Sequence, residues 1–284
     1  MIIDREFIYN VIENFHRSIV NEDDLCSCAD ASPDNQYYFN EAYQKIYALR
    51  YYPAYYFEYA DLAEKFLFRL RRSGYKNTSI ASFGCGLYPD YFALQHNLTD
   101  IEFHYDGYDC CEWETRKLLP NIDTNTSIFN QSVDDIIQDK INTYDAFIFP
   151  KSISDINQKE GSIENLACKI SNTSKQHIFF MNSYINTSLE APSAHINIFK
   201  PIHDKLLEKG FTTKDNYART DFSGEYNDGH GQGLSAINPS FEYPIQFISR
   251  CLKRTDECRK DCGVVKSPIF KNTYTDYQLL EYTK

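Results

Sequence analysis

The sequence lacks a hydrophobic run long enough to cross a lipid bilayer, which takes about 20 consecutive apolar residues. Its first segment, "MIIDREFIYNVIENFHRS", carries acidic residues where a secretory signal carries positive charge. Internal repeats and low-complexity tracts are absent as well. These absences predict a cytoplasmic protein without a membrane partner.

An excess of basic residues is also missing. The chain has 29 Lys and Arg against 40 Asp and Glu, a net charge of -11. Binding to a nucleic-acid backbone depends on clustered cations, so this balance argues against a nucleic-acid partner and favours a small-molecule or protein substrate. The one basic cluster, Arg69, Arg71 and Arg72, ends a helix-like segment, where cations favour the negative end of the helix dipole.

The cysteines show no short Cys-x-x-Cys spacing. Their number, nine, is odd, and Cys85, Cys110 and Cys111 fall within apparent core segments, which suits a reducing compartment. In "CLKRTDECRKDC" the predicted metal ligands are Cys251, Cys258 and Cys262, which could hold a structural zinc ion or an iron-sulfur cluster if Cys26 or Cys28 supplied a fourth ligand. The alternative is an exposed charged loop without metal.

The hydrophobic pattern divides the chain into two regions. Residues 1–75 have apolar side chains at helical spacing, with Pro53 placed to begin a helix, and we interpret them as a lid or substrate-shaping region. Residues 76–284 alternate strand-like runs with amphipathic segments, which predicts an α/β fold with a mostly parallel sheet and helices on both faces. The strand-like runs are "SIASF", "IEFHYDGYD", "TSIFNQS", "YDAFIFP" and "QHIFFMNSY". A Gly-, Asn- and Asp-rich stretch near 212–245 predicts a loop insertion.

A glycine turn follows the first of these strands in "SIASFGCGLYPDYFAL". Glycine lets a backbone approach a nucleotide closely, and ligands of parallel sheets bind beyond the carboxyl ends of the strands. Asp109 ends the next strand, just over twenty residues beyond Gly86, where an acidic side chain can bind ribose hydroxyls. Asp106 is the nearby alternative.

Taken in order, these segments resemble the class I S-adenosylmethionine-dependent methyltransferases. "SIASFGCGLYPDYFAL" is similar to their first motif, "GYD" to their acidic second strand end, "NQSVDDI" to their third motif, and "YDAFIFPKSISDI" to their fourth strand and the following loop. "LLEKGF" resembles the segment before their last two strands, and "YQLLEY" their final antiparallel strand. The resemblance implies a seven-stranded, mostly parallel Rossmann-like sheet that binds S-adenosylmethionine and transfers its methyl group.

Carried over by motif, the resemblance places Gly84, Cys85 and Gly86 against the methionine part of the cofactor, Asp109 on the ribose and Asp134 near the adenine. Ser82 stands where the family has an acidic residue, and Tyr88 replaces a frequent glycine. The full set of implied cofactor-binding residues is Ser82, Gly84, Cys85, Gly86, Asp109, Cys110, Asp134 and Phe149.

Methyl transfer from a sulfonium depends mainly on alignment and on exclusion of water, so it requires no side-chain triad. Lys151 in "FPKS" is a candidate catalytic residue that could orient an anionic acceptor or take a proton, and His230 in "NDGHGQG" is a second candidate, in a glycine-rich loop. Arg50 is a candidate for the cofactor carboxylate. Tyr52, Tyr55, Tyr56 and Tyr59 recur at helical spacing, which predicts either packing or a lid over the pocket.

Two alternatives remain open from the sequence. A nicotinamide or flavin dinucleotide would call for a third glycine near Pro89 and Asp90, which the sequence lacks. The second alternative is a methyltransferase-like module that binds a nucleotide or a partner and does not catalyse a reaction. An enzyme must leave an acceptor channel near Phe149–Ser152, whereas a pure binding module could fill that space.

Overall fold

The computed structural model describes residues 1–19, 37–184, 192–224 and 274–284. The helices are α1 (Arg5–Ile19), α2 (Glu41–Arg72), α3 (Pro89–Asn97), α4 (Gln138–Ile141), α5 (Ile153–Asn157), α6 (Ser162–Ser171) and α7 (Pro192–Glu208), with short 3-10 helices at Tyr37–Phe39, Glu114–Leu118 and Val133–Asp135. The strands are β1 (Asn77–Phe83), β2 (Glu102–Asp109), β3 (Thr126–Asn130), β4 (Ala146–Pro150), β5 (His177–Tyr184), β6 (Asp221–Gly224) and β7 (Tyr274–Thr283). None of the helices in these ranges combines the length and the apolar character needed to span a bilayer.

The seven strands form one sheet in the order β3-β2-β1-β4-β5-β7-β6. β1 to β5 pair in parallel, and β7 runs antiparallel to both β5 and β6. This is the seven-stranded, mostly parallel sheet with an antiparallel last strand that the methyltransferase resemblance predicts, so the predicted fold class is confirmed. β6 is a difference in detail, because it occupies the first part of a stretch predicted as a loop.

Two apolar layers cover the sheet, one on each face. Successive side chains of a strand point to opposite faces, so Ile80 packs with the layer of α1, α2 and α3, while Ala81 packs with that of α6 and α7. Ile148 and Phe147 divide in the same way on β4. The helices of residues 1–75 thus share their core with one face of the sheet.

Helix α2 is continuous through Pro53, so the prediction that a helix begins at this proline is wrong. It begins instead after Asn40, whose side-chain oxygen accepts a hydrogen bond from the Tyr43 amide at 3.0 Å. A proline inside a helix removes one backbone hydrogen bond. Burial of Tyr52, Tyr56 and Tyr59 around the proline stabilises the helix against that loss.

Candidate active site

The glycine turn joins β1 to α3 at the carboxyl edge of the sheet. The backbone amides of Gly84 and Cys85 both donate to the Tyr108 carbonyl, at 2.7 and 3.1 Å, which fastens the turn to β2. Gly84 has φ +72° and Gly86 has φ +53°, a left-handed conformation that favours glycine. A Cβ atom on Gly84 would lie only 2.5 Å from the Ser152 Cβ atom, so this position also needs glycine for packing.

Asp109 ends β2 directly beside this turn. Its Oδ2 atom accepts a hydrogen bond from the Gly86 amide at 2.7 Å, and its Oδ1 atom accepts one from the Cys111 amide at 2.8 Å. Burial raises the pKa of the carboxyl, although both amide hydrogen bonds oppose that rise. Each carboxylate oxygen keeps further acceptor capacity, so this predicted ribose ligand is oriented by the turn and can still accept hydroxyl groups.

Ser82 does not lie on the wall of the adjoining cavity, which differs from its expected cofactor contact. Its hydroxyl is fully buried and donates to Asp90 Oδ2 at 2.7 Å, and the Tyr105 hydroxyl donates to the same oxygen at 2.9 Å. Burial raises the pKa of Asp90 to about 6. The carboxylate of Asp90, on α3, thus lies beside Ser82, at the position where the resemblance implies an acidic residue. The sequence pattern does not reveal this contact, because Asp90 comes eight residues after Ser82.

Asp134, the predicted adenine ligand, does not line the cavity itself. It accepts hydrogen bonds from Ser162 Oγ at 2.7 Å and Asn165 Nδ2 at 3.0 Å, and its Oδ2 atom lies 2.7 Å from Lys159 Nζ. Burial by itself would raise its pKa, but these partners lower it to about 2. Its neighbours Ser132 and Val133 line the cavity instead. Two of these partners, Ser162 and Lys159, also line the cavity, and the contact of Asp134 with adenine stays a prediction.

A cavity of about 900 Å³ opens at the carboxyl ends of β1, β2 and β4. Its wall includes the glycine turn with Asp109, Cys110 and Cys111, and also Lys151 and a set of aromatic rings. The volume lies within the range of about 300–1,000 Å³ typical of small-molecule sites. One continuous space therefore joins the predicted cofactor turn to the predicted acceptor loop.

The aromatic wall is a ladder of tyrosines on α2. Tyr47, Tyr51, Tyr55 and Tyr59 follow one another at four-residue intervals and so share one helix face. The Tyr47 and Tyr51 rings lie 4.9 Å apart between centroids, and Tyr51 and Tyr55 stack at 5.8 Å with an interplanar angle of 19°. Of the tyrosines singled out by spacing, Tyr52, Tyr55 and Tyr59 line the cavity. Tyr56 instead bonds His96 Nδ1 at 2.7 Å and accepts from the Asp4 amide at 3.0 Å.

Lys151 follows β4 and lines the cavity, as the sequence predicted, with φ +57°. Its Nζ atom lies 2.7 Å from Glu58 Oε2, donates to the Tyr184 carbonyl at 3.2 Å, and sits 5.3 Å from the centre of the Tyr55 ring. The Lys151 side chain is 6% exposed and that of Glu58 is fully buried. The sequence pattern did not predict a role for Glu58, because this residue lies among the aromatic residues of α2, nearly a hundred positions before its partner Lys151.

Cys110 and Cys111 line the cavity beside Asp109, with their sulfur atoms 4.0 Å apart. The hydrogen bond from Cys111 lowers the pKa of Cys110 to about 7, and the same interaction raises that of Cys111. Asp109, Cys110 and Cys111 offer ligand atoms within 4.8 Å of one another. Asp109 and Cys110 are also among the predicted cofactor-binding residues.

The remaining predicted residues divide into three groups. Cys85 lines the cavity, and burial raises the pKa of its thiol. Phe149 does not line the cavity; it is fully buried and packs 5.4 Å from the Phe83 ring, because its side chain points into the core rather than toward the strand end. Arg50 does not line the cavity either. His230 lies outside the described residues. So do the cysteines predicted to bind zinc, which are Cys26, Cys28, Cys251, Cys258 and Cys262.

No known family description matches the sequence. No curated protein matches it either. Among solved structures, the plantazolicin methyltransferase in complex with SAH aligns over 96% of this chain and 99% of its own, with 10% identity and a TM-score of 0.42. The Burkholderia thailandensis 1,6-didemethyltoxoflavin-N1-methyltransferase aligns over 80% and 78%, with 8% identity and a TM-score of 0.41. The precorrin-6y C5,15-methyltransferase from Geobacter metallireducens aligns over 79% and 88%, with 8% identity and a TM-score of 0.39.

Proposed function

We propose that the protein is an S-adenosylmethionine-dependent methyltransferase that acts on a small acceptor. The observation that carries this proposal is the single cavity joining the glycine turn and Asp109 to Lys151 and the tyrosine ladder. A transferase needs two ligands in contact, and a cavity of about 900 Å³ lined by both a polar turn and an aromatic wall offers room for both. A cytoplasmic location remains the expectation from the sequence.

The residues at the turn fit the cofactor in their chemistry. The Gly84–Gly86 backbone would lie against its methionine part, the free acceptor capacity of Asp109 would take its ribose hydroxyls, and Ser132 and Val133 would flank its adenine. When bound, S-adenosylmethionine supplies a methyl group on a positively charged sulfur, and that carbon–sulfur bond breaks with its electron pair remaining on sulfur. The aromatic rings of the cavity suit such a cation, since a cation is attracted to the face of an aromatic ring.

The protein's own groups align the acceptor and exclude water. The tyrosine ladder provides a rigid aromatic surface, since mutual ring contacts hold Tyr47, Tyr51 and Tyr55, and a hydrogen bond to Ser183 holds Tyr59. Lys151 lies where β4 ends and lines the same cavity, with its Nζ atom 5.3 Å from the centre of the Tyr55 ring. Alignment of two reactants in a dry cavity supplies much of the rate enhancement of a bimolecular reaction.

The space around Lys151 favours a transferase over a binding module without catalysis. Pro150, Lys151 and Ser152 all line the cavity, so the acceptor channel required of an enzyme is open at this strand end. The dinucleotide alternative is weaker, because Pro89 opens α3 where a dinucleotide fold needs glycine for close helix packing.

Isothermal titration calorimetry with S-adenosylmethionine and S-adenosylhomocysteine tests the proposal. Asp109→Asn should weaken both by about tenfold or more, because an amide cannot accept from both backbone N–H groups and also bind ribose. Asp123→Asn is the matched control, since Asp123 is an exposed acid that bonds Gln95 at 2.7 Å. Absence of binding to the wild-type protein, or equal binding by Asp109→Asn, would refute the proposal.

A further inference from the structure

Among the residues that the structure describes, the ammonium of Lys151 has one N–H donor without a hydrogen-bond or ion-pair partner. A lysine has three N–H donors. The described contacts of Lys151 Nζ are one carboxylate oxygen of Glu58, the Tyr184 carbonyl and the face of the Tyr55 ring. One donor thus makes a hydrogen bond to Tyr184 and a second faces Glu58 in the ion pair, while the side chain is only 6% exposed and the residue lines the cavity. A buried ammonium with an unfilled donor is a site for a ligand acceptor atom, because an unmade hydrogen bond in such a place costs free energy.

Glu58 keeps this ammonium in place and balances its charge. The carboxylate is fully buried on α2, about one helical turn after Tyr55 and directly before Tyr59, and its Oε2 atom is 2.7 Å from Nζ. A buried cation without a partner would be strongly unfavourable, so the pair explains how a charge persists there. Glu58 does not line the cavity itself and therefore acts through Lys151.

We infer that the acceptor is an aromatic hydroxyl, bound as its phenolate oxygen to the third N–H of Lys151 with its ring against the tyrosine ladder. This inference rests on the proposed methyltransferase function and names its substrate class. The stacked Tyr51 and Tyr55 rings offer flat surfaces to which a planar ring adds.

The choice of oxygen over nitrogen follows from lone pairs. A neutral amine has one lone pair, and a hydrogen bond from Lys151 would occupy the pair that must attack the methyl carbon. A phenolate oxygen has three, so it can accept from Lys151 and still attack. The hydroxyl proton leaves to solvent when the phenolate binds, and the oxygen then supplies the electron pair of the new carbon–oxygen bond.

The test uses 4-nitrophenol as a spectroscopic probe, because its phenolate has a visible absorbance band that its phenol form lacks. Bound to the wild-type protein, the dye should have a pKa about one unit lower than in free solution, a tenfold gain in the phenolate-to-phenol ratio at fixed pH. This readout needs no methyl donor, so it is independent of whether S-adenosylmethionine binds.

The variant Lys151→Met with Glu58→Gln removes both charges together and so avoids leaving either one buried alone. It should bind the dye without the pKa shift, whereas binding of 4-nitroaniline, which has the same ring and no acidic hydroxyl, should be unchanged. The matched control is Lys200→Met with Asp204→Asn, an exposed ion pair on α7, which should keep the full shift.

Two results would overturn the inference. The first is a folded wild-type protein that leaves the dye free or binds it with an unshifted pKa. The second is an equal shift in the Lys151→Met, Glu58→Gln variant. If calorimetry shows cofactor binding and the dye shows either result, the transferase proposal stands and the aromatic hydroxyl is wrong. If the dye shifts and calorimetry shows no cofactor binding, the phenolate site stands without the transferase.

Discussion

Gly84→Ala tests how tightly the turn after β1 is packed against the loop after β4. The substitution keeps a left-handed backbone at φ +72° and adds a Cβ atom 2.5 Å from the Ser152 Cβ and 3.1 Å from its Oγ. The backbone strain costs about 1 kcal/mol or slightly more. Relief of the overlap costs about 1–3 kcal/mol. We therefore expect the free energy of unfolding to fall by about 2–4 kcal/mol.

Gly74→Ala is the matched control for the backbone term. Gly74 has φ +78°, and an added Cβ atom would meet nothing within 4 Å. Its loss should be about 1 kcal/mol, so the difference between the two variants isolates the overlap at Gly84.

Ser152→Gly completes a double-mutant cycle. By itself it removes the hydrogen bond from Ser152 Oγ to the Phe83 carbonyl and so destabilises the protein. Combined with Gly84→Ala it also removes the atoms that clash, which predicts a favourable coupling of about 1–3 kcal/mol. Urea unfolding of the four proteins measures it. A coupling below about 0.5 kcal/mol, or equal losses at Gly84 and Gly74, would refute the packing argument.

Three further predictions concern titratable groups. Burial raises the pKa of Asp90 from 3.8 to about 6, so the folded state holds a proton that the unfolded chain releases; this contribution to stability is present below pH 3.8 and is lost as pH rises through about 6. Asp90→Asn should flatten the free energy of unfolding across that window in urea titrations, and an unchanged slope would contradict the assignment. The hydrogen bond from Cys111 lowers the pKa of Cys110 to about 7, so the rate at which iodoacetamide alkylates Cys110 should level off above neutral pH. Bound S-adenosylhomocysteine should slow this alkylation. Peptide mapping identifies the labelled residue, and labelling of Cys111 before Cys110 would contradict the prediction. Glu58→Gln should lower the free energy of unfolding by about 3–5 kcal/mol, because it leaves the Lys151 ammonium buried without its partner. Adding Lys151→Met should restore part of this loss. A Glu58→Gln variant that is more stable than the wild type would show that the ion pair does not stabilise the protein.

The sheet was predictable from the sequence because its order follows from local patterns. Short apolar runs separated by amphipathic segments predicted β1 to β5, and all five are present. The glycine turn and Asp109 were predictable for a similar reason, since both sit at strand ends that the pattern locates. Their mutual hydrogen bond at 2.7 Å joins two segments predicted separately.

The rest of the site depends on contacts between distant segments, which periodicity does not record. Glu58 and Lys151 come from α2 and the end of β4, and only the packing of that helix on the sheet brings them together. Asp134 shows the same limit, because the motif located this residue but not its hydrogen bonds to Ser162 and Asn165 of α6. Helix propensity likewise failed at Pro53, where burial of neighbouring rings outweighs the missing hydrogen bond.

The tyrosine ladder belongs to a helix of 32 residues, which measures about 48 Å from end to end. Near its far end Arg69 donates two hydrogen bonds to Asp215, at 2.6 and 3.1 Å, and Arg72 pairs with Glu281 on β7. The side chains opposite the ladder are buried in the core of the sheet. The aromatic wall is therefore ordered when the protein folds and not when a ligand binds. Ligand binding then costs little conformational entropy of the protein at this wall. The entropy lost on binding is mainly that of the ligand itself.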